Sequence, residues 1–169
     1  MFHDLFFSKS KSKVPKPCPI ALSTRVRLAR NLSEFPFPGR AESGQKKAVL
    51  SKCMSALGKV KPLLSSTSVE LDELSELDRQ ILVEKHLISL ELSQSEESGG
   101  VVLSNDRACS VMVNEEDHLR IQVLANGLDF SKVWKLADSL DSGIESSLDY
   151  AFDSQLGFLT ACPTNLGTG

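Results

Sequence analysis

The chain has 169 residues, 41% of them hydrophobic and 24% charged, with a formal net charge of −3. That length and apolar content suit one domain with a core of its own, and no run of 18 apolar residues exists to span a membrane. Cys18, Cys53, Cys109 and Cys162 lie far apart with no CxxC pair, so the sequence supports no metal site, and reduced thiols in a cytoplasmic protein are expected.

Residues 1–18 read as a flexible lead segment. The opening Met1 to Phe7 is apolar, but too short for a signal peptide and without a basic lead-in. Residues 8–19 are rich in Lys, Ser and Pro, the composition of an extended, mobile stretch. Charge is divided unevenly along the chain. Residues 1–62 hold 13 Lys/Arg against 3 Asp/Glu, a balance of +10, and residues 63–169 hold 6 against 19, a balance of −13. Either the two halves attract one another or the basic half supplies anion ligands. Its aromatics are not interleaved with Lys and Arg, which argues against nucleic acid.

The domain opens at Ile20-Ala21-Leu22, and Ser23-Thr24-Arg25-Val26-Arg27-Leu28-Ala29-Arg30-Asn31 follows. If this stretch is extended, Arg25 and Arg27 project from one face. Two guanidiniums side by side repel unless an anion lies between them. Their forks match phosphate oxygens, or they pair with carboxylates of the acidic half. Residues 34–39 are a turn-rich apolar segment. A helix is expected from Ser43 to before Pro62, with Val49, Leu50, Cys53, Met54, Leu57 and Val60 inward. A second is expected over Ser68 to Glu84, with Leu71, Leu74, Leu77, Ile81 and Leu82 inward, followed by His86.

Ser93 to Gly100 is a polar loop. Three strands are then expected: Val101 to Ser104, Ala108 to Val113, and Leu119 to Leu124. Asn105-Asp106-Arg107 supplies the first turn, and short connections imply antiparallel neighbours. Between the second and third strands stand Asn114-Glu115-Glu116-Asp117-His118. Three successive carboxylates are unfavourable on a strand, so this is either a solvated hairpin turn or a site. Asp129 caps a last helix with Val133, Trp134, Leu136, Ala137, Leu140, Ile144 and Leu148 inward; Trp134 is expected in the core, and residues 150–153 close the helix. Strands packed against helices without βαβ alternation make the fold class α+β, an antiparallel sheet flanked by helices. Neither a Walker loop nor a glycine-rich kinase loop is present.

The arginine stretch, Asn114 to Arg120, and Cys162-Pro163-Thr164-Asn165-Leu166-Gly167-Thr168-Gly169 together resemble the phosphagen (guanidino) kinase family, nearest to its bacterial protein-arginine kinase branch. The resemblance covers roughly residues 19–169, as the N-terminal part of a catalytic domain with a curved antiparallel sheet. It implies ATP-dependent phosphoryl transfer to a guanidino group of arginine in proteins, with ATP and Mg²⁺ as cofactors. Ser23, Thr24, Arg25, Val26, Arg27, His86 and Arg120 would then bind nucleotide. Glu116 would bind the guanidinium and take its proton, and Cys162 would be the reactive thiol beside it. Glu115 and Asp117 would support Arg120 or a metal-bound water. The partners implied are a protein substrate with an exposed arginine and an activator protein or a missing kinase half.

The family pattern is departed from in three places. The chain begins almost at the arginine motif, without the helical N-terminal domain of creatine and arginine kinases. It stops at Gly169, ahead of further phosphate-binding arginines and a second substrate carboxylate, so a truncated, catalytically silent remnant that binds nucleotide or a partner is the alternative. Ser104-Asn105-Asp106-Arg107 differs from the residues expected before the acidic motif.

Overall fold

The computed structural model describes residues 20–167; the lead segment with Cys18, and the terminal Thr168 and Gly169, lie outside the described residues. A five-stranded antiparallel sheet organises them: β1 (Ser23–Arg30), β2 (Thr67–Glu70), β3 (Gly100–Leu103), β4 (Cys109–Val113) and β5 (Leu119–Asn126). Their order across the sheet is β1-β5-β4-β3-β2. Four helices accompany it: α1 (Ser43–Leu57), α2 (Glu76–Glu84), α3 (Leu90–Gln94) and α4 (Phe130–Glu145). A short hairpin, β6 (Phe152–Asp153) and β7 (Gly157–Phe158), precedes the Cys162 segment. Among the described residues no helix is long and apolar enough to cross a membrane.

The register decides which side chains share a face. Arg27 pairs with Gln122, Gln122 with Ser110, and Ser110 with Leu103. Ala29 pairs with Arg120, and Arg120 with Met112. Because side chains alternate along a strand, the other face collects Leu28, Ile121, Val123, Val111, Val113 and Val102. These pack with Val49, Cys53 and Leu57 of α1 and with Val133, Ala137, Leu140 and Ile144 of α4 in the main core. On the first face, Val69, Val101, Leu103 and Met112 pack with Leu82 of α2 and Leu92 of α3 in a second, smaller core. Helices thus cover the β2–β3–β4 side of this face, while Arg25, Arg27 and Arg120 emerge on its β1–β5 side.

Four expectations are corrected. Ser68 to Glu84 is not one helix. Thr67–Glu70 is extended because it pairs with β3, and a 3₁₀ turn follows over Leu71–Glu73. The helix restarts only at Ser75, whose hydroxyl accepts from Asp78 N while Asp78 accepts from Ser75 N. Ladder pairing outweighs the weak helical preference of a four-residue stretch, and Leu77, expected inward, is 65% exposed. Trp134 is not in the core but 51% exposed. The buried stripe of α4 runs Val133, Ala137, Leu140, Ile144, and Trp134 lies about 100° around the helix from its first member. Residues 150–153 do not close α4, which ends at Glu145; they bridge to Leu32 and begin β6. The first helix is also shorter than expected, opening on the Glu42–Gln45 capping box and ending at Leu57. Ser104-Asn105-Asp106-Arg107 does form the β3–β4 turn, with Asp106 Oδ1 accepting from Ala108 N at 3.0 Å and Ser104 Oγ from Cys109 N at 2.9 Å.

Candidate active site

Alternation along β1 puts the Arg25 and Arg27 side chains on the exposed face and sends those of Thr24, Val26 and Leu28 toward the main core. Thr24 Oγ1 donates to Gly127 O at 2.6 Å and accepts from Asp129 N at 3.0 Å, fastening β1 to the start of α4. Of the residues grouped in this motif by sequence, Ser23, Arg25 and Arg27 therefore share the open face, and Thr24 and Val26 brace it from behind. Arg30 also faces the core side. It forms a two-point ion pair with Asp141, at 2.7 and 3.1 Å, and stacks 3.7 Å from the Phe158 ring centroid. Partial burial, then the positive charges of Arg120 and Arg25, pull the Arg27 guanidinium below its ordinary range; Glu115 opposes this. Three cations on one open face are thus in mutual repulsion, which a bound anion would relieve.

The acidic motif is the β4–β5 connection, closed by Asn114 N donating to His118 O at 3.1 Å, so the hairpin-turn reading of its backbone holds. Asn114 takes the left-handed conformation there, φ 57°, which asparagine tolerates better than most residues. The three carboxylates have different fates. Glu115 has a side chain only 3% exposed and accepts from Arg120 Nη1 at 2.5 Å and from Glu116 N at 3.1 Å. Asp117 is buried; its Oδ1 accepts from Asn31 Nδ2 at 2.5 Å and from Ala161 N at 2.6 Å. Glu116 is 45% exposed and stands 3.9 Å from Arg120 Nη1. It is the one member of the triplet whose carboxylate is available to a ligand. Glu115 supports Arg120, one of the two roles expected of it, whereas Asp117 is a structural tie.

That tie joins the three sequence motifs. Asn31 directly follows the arginine strand; its Oδ1 accepts from His118 N at 2.9 Å, and its Nδ2 also donates to Leu159 O at 3.1 Å. His118 Nδ1 accepts from Leu32 N and Nε2 donates to Pro36 O, both at 3.0 Å, the pattern of a neutral imidazole. Burial pushes the His118 pKa down, against the raising effect of Pro36 O and the Asp117 charge. Ala161, held by Asp117, immediately precedes Cys162. The Cys162 thiol is partly exposed, 2.9 Å from Thr164 Oγ1. Asp117 thereby sets the Cys162 segment against the connection that carries Glu116. Asn165 lines a small cleft of about 190 Å³ together with Arg27 and Arg120.

A larger cleft of about 490 Å³ runs from Arg27 and Arg120 between the acidic connection and α3 with its flanking loop. Its far wall is Ser89, Glu91, Leu92, Ser95 and Glu97, none of which the sequence pattern connects with the site. Their only signal was the acidic character of residues 91–97; the wall exists because α3 docks on Met112 and Val101. His86 lies in a tight turn with φ 57°, and its carbonyl accepts from Gln122 Nε2 at 2.6 Å. This holds its backbone beside the arginine face, but the exposed ring lines neither cleft. Among the described residues no three His, Cys, Asp or Glu are grouped to hold a metal ion.

The sequence model of "ATP:guanido phosphotransferase, C-terminal catalytic domain" matches residues 48–169. The chain belongs to the ATP:guanido phosphotransferase family. The match contains the acidic connection and Cys162, and β1 lies ahead of it. The protein-arginine kinase of Symbiobacterium thermophilum is 49% identical over 153 residues, spanning 89% of this chain and 43% of that protein. The protein-arginine kinase of Caldanaerobacter subterraneus subsp. tengcongensis is 47% identical over 152 residues, spanning 89% of this chain and 45% of the relative. The chain therefore spans less than half the length of these curated relatives. Among solved structures, the substrate-free duplicated taurocyamine kinase of Schistosoma mansoni superposes with a TM-score of 0.81 at 29% identity, over 88% of this chain and 22% of that one. Lombricine kinase shares the fold, with a TM-score of 0.74 at 22% identity over 88% of this chain and 45% of that one.

Proposed function

We infer that the cleft belongs to a protein-arginine kinase site, where the phosphates of ATP lie over Arg25, Arg27 and Arg120 and an arginine side chain of a protein is held at Glu116. The observation that carries this reading is the unequal commitment of the acidic triplet. Glu115 and Asp117 are bonded inside the fold, and Glu116 alone stands open beside a cluster of arginines. Relatives named protein-arginine kinase at 47–49% identity favour arginine in a protein over the small guanidino compounds after which the more distant structural neighbours are named.

Phosphoryl transfer asks little covalent work of a protein; positioning and charge compensation dominate. Arg25, Arg27 and Arg120 offer planar forks to phosphate oxygens. Mg²⁺, when bound, supplies further charge neutralisation at the phosphates. Glu116 accepts two N–H groups of the target guanidinium and orients one nitrogen toward the γ-phosphorus. It takes the proton that nitrogen loses as the N–P bond forms and the bond to the ADP oxygen breaks. Glu115 keeps Arg120 at the boundary between the two reactants. Cys162 flanks the guanidinium side, with Asp117 holding its segment in place.

The test is a phosphoarginine assay with ATP and a basic protein, on this chain alone and with the C-terminal remainder of a relative added. Glu116→Gln should lower transfer by about 10²–10⁴-fold while leaving ATP affinity unchanged. Arg25→Ala or Arg27→Ala should weaken ATP binding by about 1.5–3 kcal/mol each. Nucleotide binding with no transfer in either format would instead favour a silent nucleotide-binding half. Undiminished transfer by Glu116→Gln would overturn the assignment.

A further inference from the structure

Large apolar side chains are left open at one place on the fold. Ile20 and Leu22, where the described chain begins, are 92% and 89% exposed. Leu128, Phe130 and Trp134, at the start of α4, are 63%, 62% and 51% exposed. They gather because β1 and β5 are neighbours. Ser23 pairs with Asn126, and one step further Gly127 N donates to Leu22 O at 2.9 Å. Alternation continued by one residue puts Leu22 on the same side as Thr24, whose hydroxyl accepts from the backbone of Asp129, the cap of α4. Phe130 and Trp134 are four residues apart and share one side of the helix. Past Trp134 the exposed positions of α4 turn polar, with Lys135, Asp138 and Ser139. The open apolar surface is thus confined to the start of α4 and the entry to β1.

An exposed apolar patch of this kind marks a contact surface, and the same chain carries residues suited to cover it. Residues 1–7 include Met1, Phe2, Leu5, Phe6 and Phe7, apolar side chains that gain by leaving water. Residues 8–19 join them to Ile20, itself part of the patch, and can span at most about 40 Å. A segment tethered this closely has an effective concentration on the order of millimolar. A second copy of the chain at micromolar concentration competes poorly with it. The charged groups beside the patch are two carboxylates, Asp129 and Asp138, and two ammoniums, Lys132 and Lys135, so it has no cationic rim for an anionic lipid surface.

We propose that residues 1–7 of this chain seat on the patch, with their aromatic side chains against Phe130 and Trp134. The cover lies behind the arginine strand, next to the Thr24 hydrogen bonds to Gly127 O and Asp129 N, and fastens the start of β1 from outside. This assignment does not depend on the reading of the cleft.

Trp134 is the single tryptophan of the chain, so its fluorescence reports on the patch directly. In the full chain acrylamide should quench it weakly. Phe2→Ser combined with Phe6→Ser should steepen the quenching about twofold and move the emission to longer wavelength, as ring area returns to water. In the reverse direction, Leu128→Ser combined with Phe130→Ser should lose the parent's resistance to chymotrypsin cleavage after Phe6 and Phe7. Leu128 and Phe130 are surface positions, and matching far-ultraviolet circular dichroism will show that the variants fold. Equal quenching of the parent and the Phe2/Phe6 variant would overturn the proposal. So would shielding of Trp134 that grows with protein concentration, which would assign the patch to a second copy. Shielding that appears only with vesicles of anionic phospholipid would also overturn it, in favour of a membrane surface.

Discussion

Asp117→Ala should be among the most damaging single substitutions in the chain, because one buried oxygen holds the site together from two directions. Asp117 Oδ1 accepts from Asn31 Nδ2 at 2.5 Å and Ala161 N at 2.6 Å. A hydrogen bond to a charged group contributes about 1.5–3 kcal/mol, so two give a gross loss of about 3–6 kcal/mol. Two effects reduce it. Asn31 Nδ2 keeps Leu159 O as a partner at 3.1 Å, so that amide is not fully orphaned. Removing the carboxylate also returns part of the desolvation cost of burying a charge. A net destabilisation of about 2–4 kcal/mol remains, a large share of the 5–15 kcal/mol typical of a domain. With a urea m-value of about 2 kcal/mol/M, the midpoint followed by circular dichroism should fall by about 1–2 M. Asp117→Asn retains an acceptor oxygen of the same shape and should lose roughly half as much. The Cys162 segment should loosen in parallel, read as faster proteolysis after residue 158. A midpoint for Asp117→Ala within about 0.5 kcal/mol of the parent would show that this tie does not hold the motifs together.

Three further outcomes follow from the same structure. His118 has a folded pKa pushed below its unfolded value, so only the unfolded chain takes up the proton as pH drops. Its contribution is complete above about pH 6.5 and declines as pH falls from there toward the folded pKa, which denaturation midpoints from pH 7.5 to 5.5 will show as a loss absent from a folded His118→Gln variant. Burial pushes the Cys53 thiol up to about 12 and the Cys109 thiol up to about 11, so alkylation at pH 7.5 should modify partly exposed Cys162 well before either, and equal rates would contradict the packing. Gly157 has φ +80°, and a Cβ there would meet the Gly167 backbone at 2.7 Å; Gly157→Ala should cost about 1–3 kcal/mol in thermal unfolding, and a neutral result would show that β7 and the Cys162 segment can part without penalty.

Much of this arrangement is legible in local pattern. The alternation of Ser23 to Arg30 predicts that Arg25 and Arg27 share a face, and pairing with β5 makes that face real. Val101 to Leu103, Cys109 to Val113 and Leu119 to Leu124 announce adjacent antiparallel strands, and Asp129 announces the start of α4. Periodicity carries these because each depends on neighbours a few residues away. It fails where the deciding partner is remote. Thr67–Glu70 is a strand only because β3 lies beside it, and Trp134 is exposed because the sheet meets α4 along Val133, Ala137 and Leu140.

The division at the site has the same cause. Residue types and spacing determine that this chain carries a pair of arginines on one face, an acidic triplet at a strand junction and a thiol after a short hairpin. They cannot say which of Glu115, Glu116 and Asp117 is open to a ligand. That depends on Arg120 across the turn, on Asn31 just past β1, 86 positions earlier, and on Ala161 44 positions later. Nor can they place Glu91 and Arg27 in one cleft, since α3 reaches it only by docking on Met112 and Val101. Hydrogen-bond commitment is a property of three-dimensional neighbours, and in this protein it separates the carboxylate that can act from the two that hold the fold.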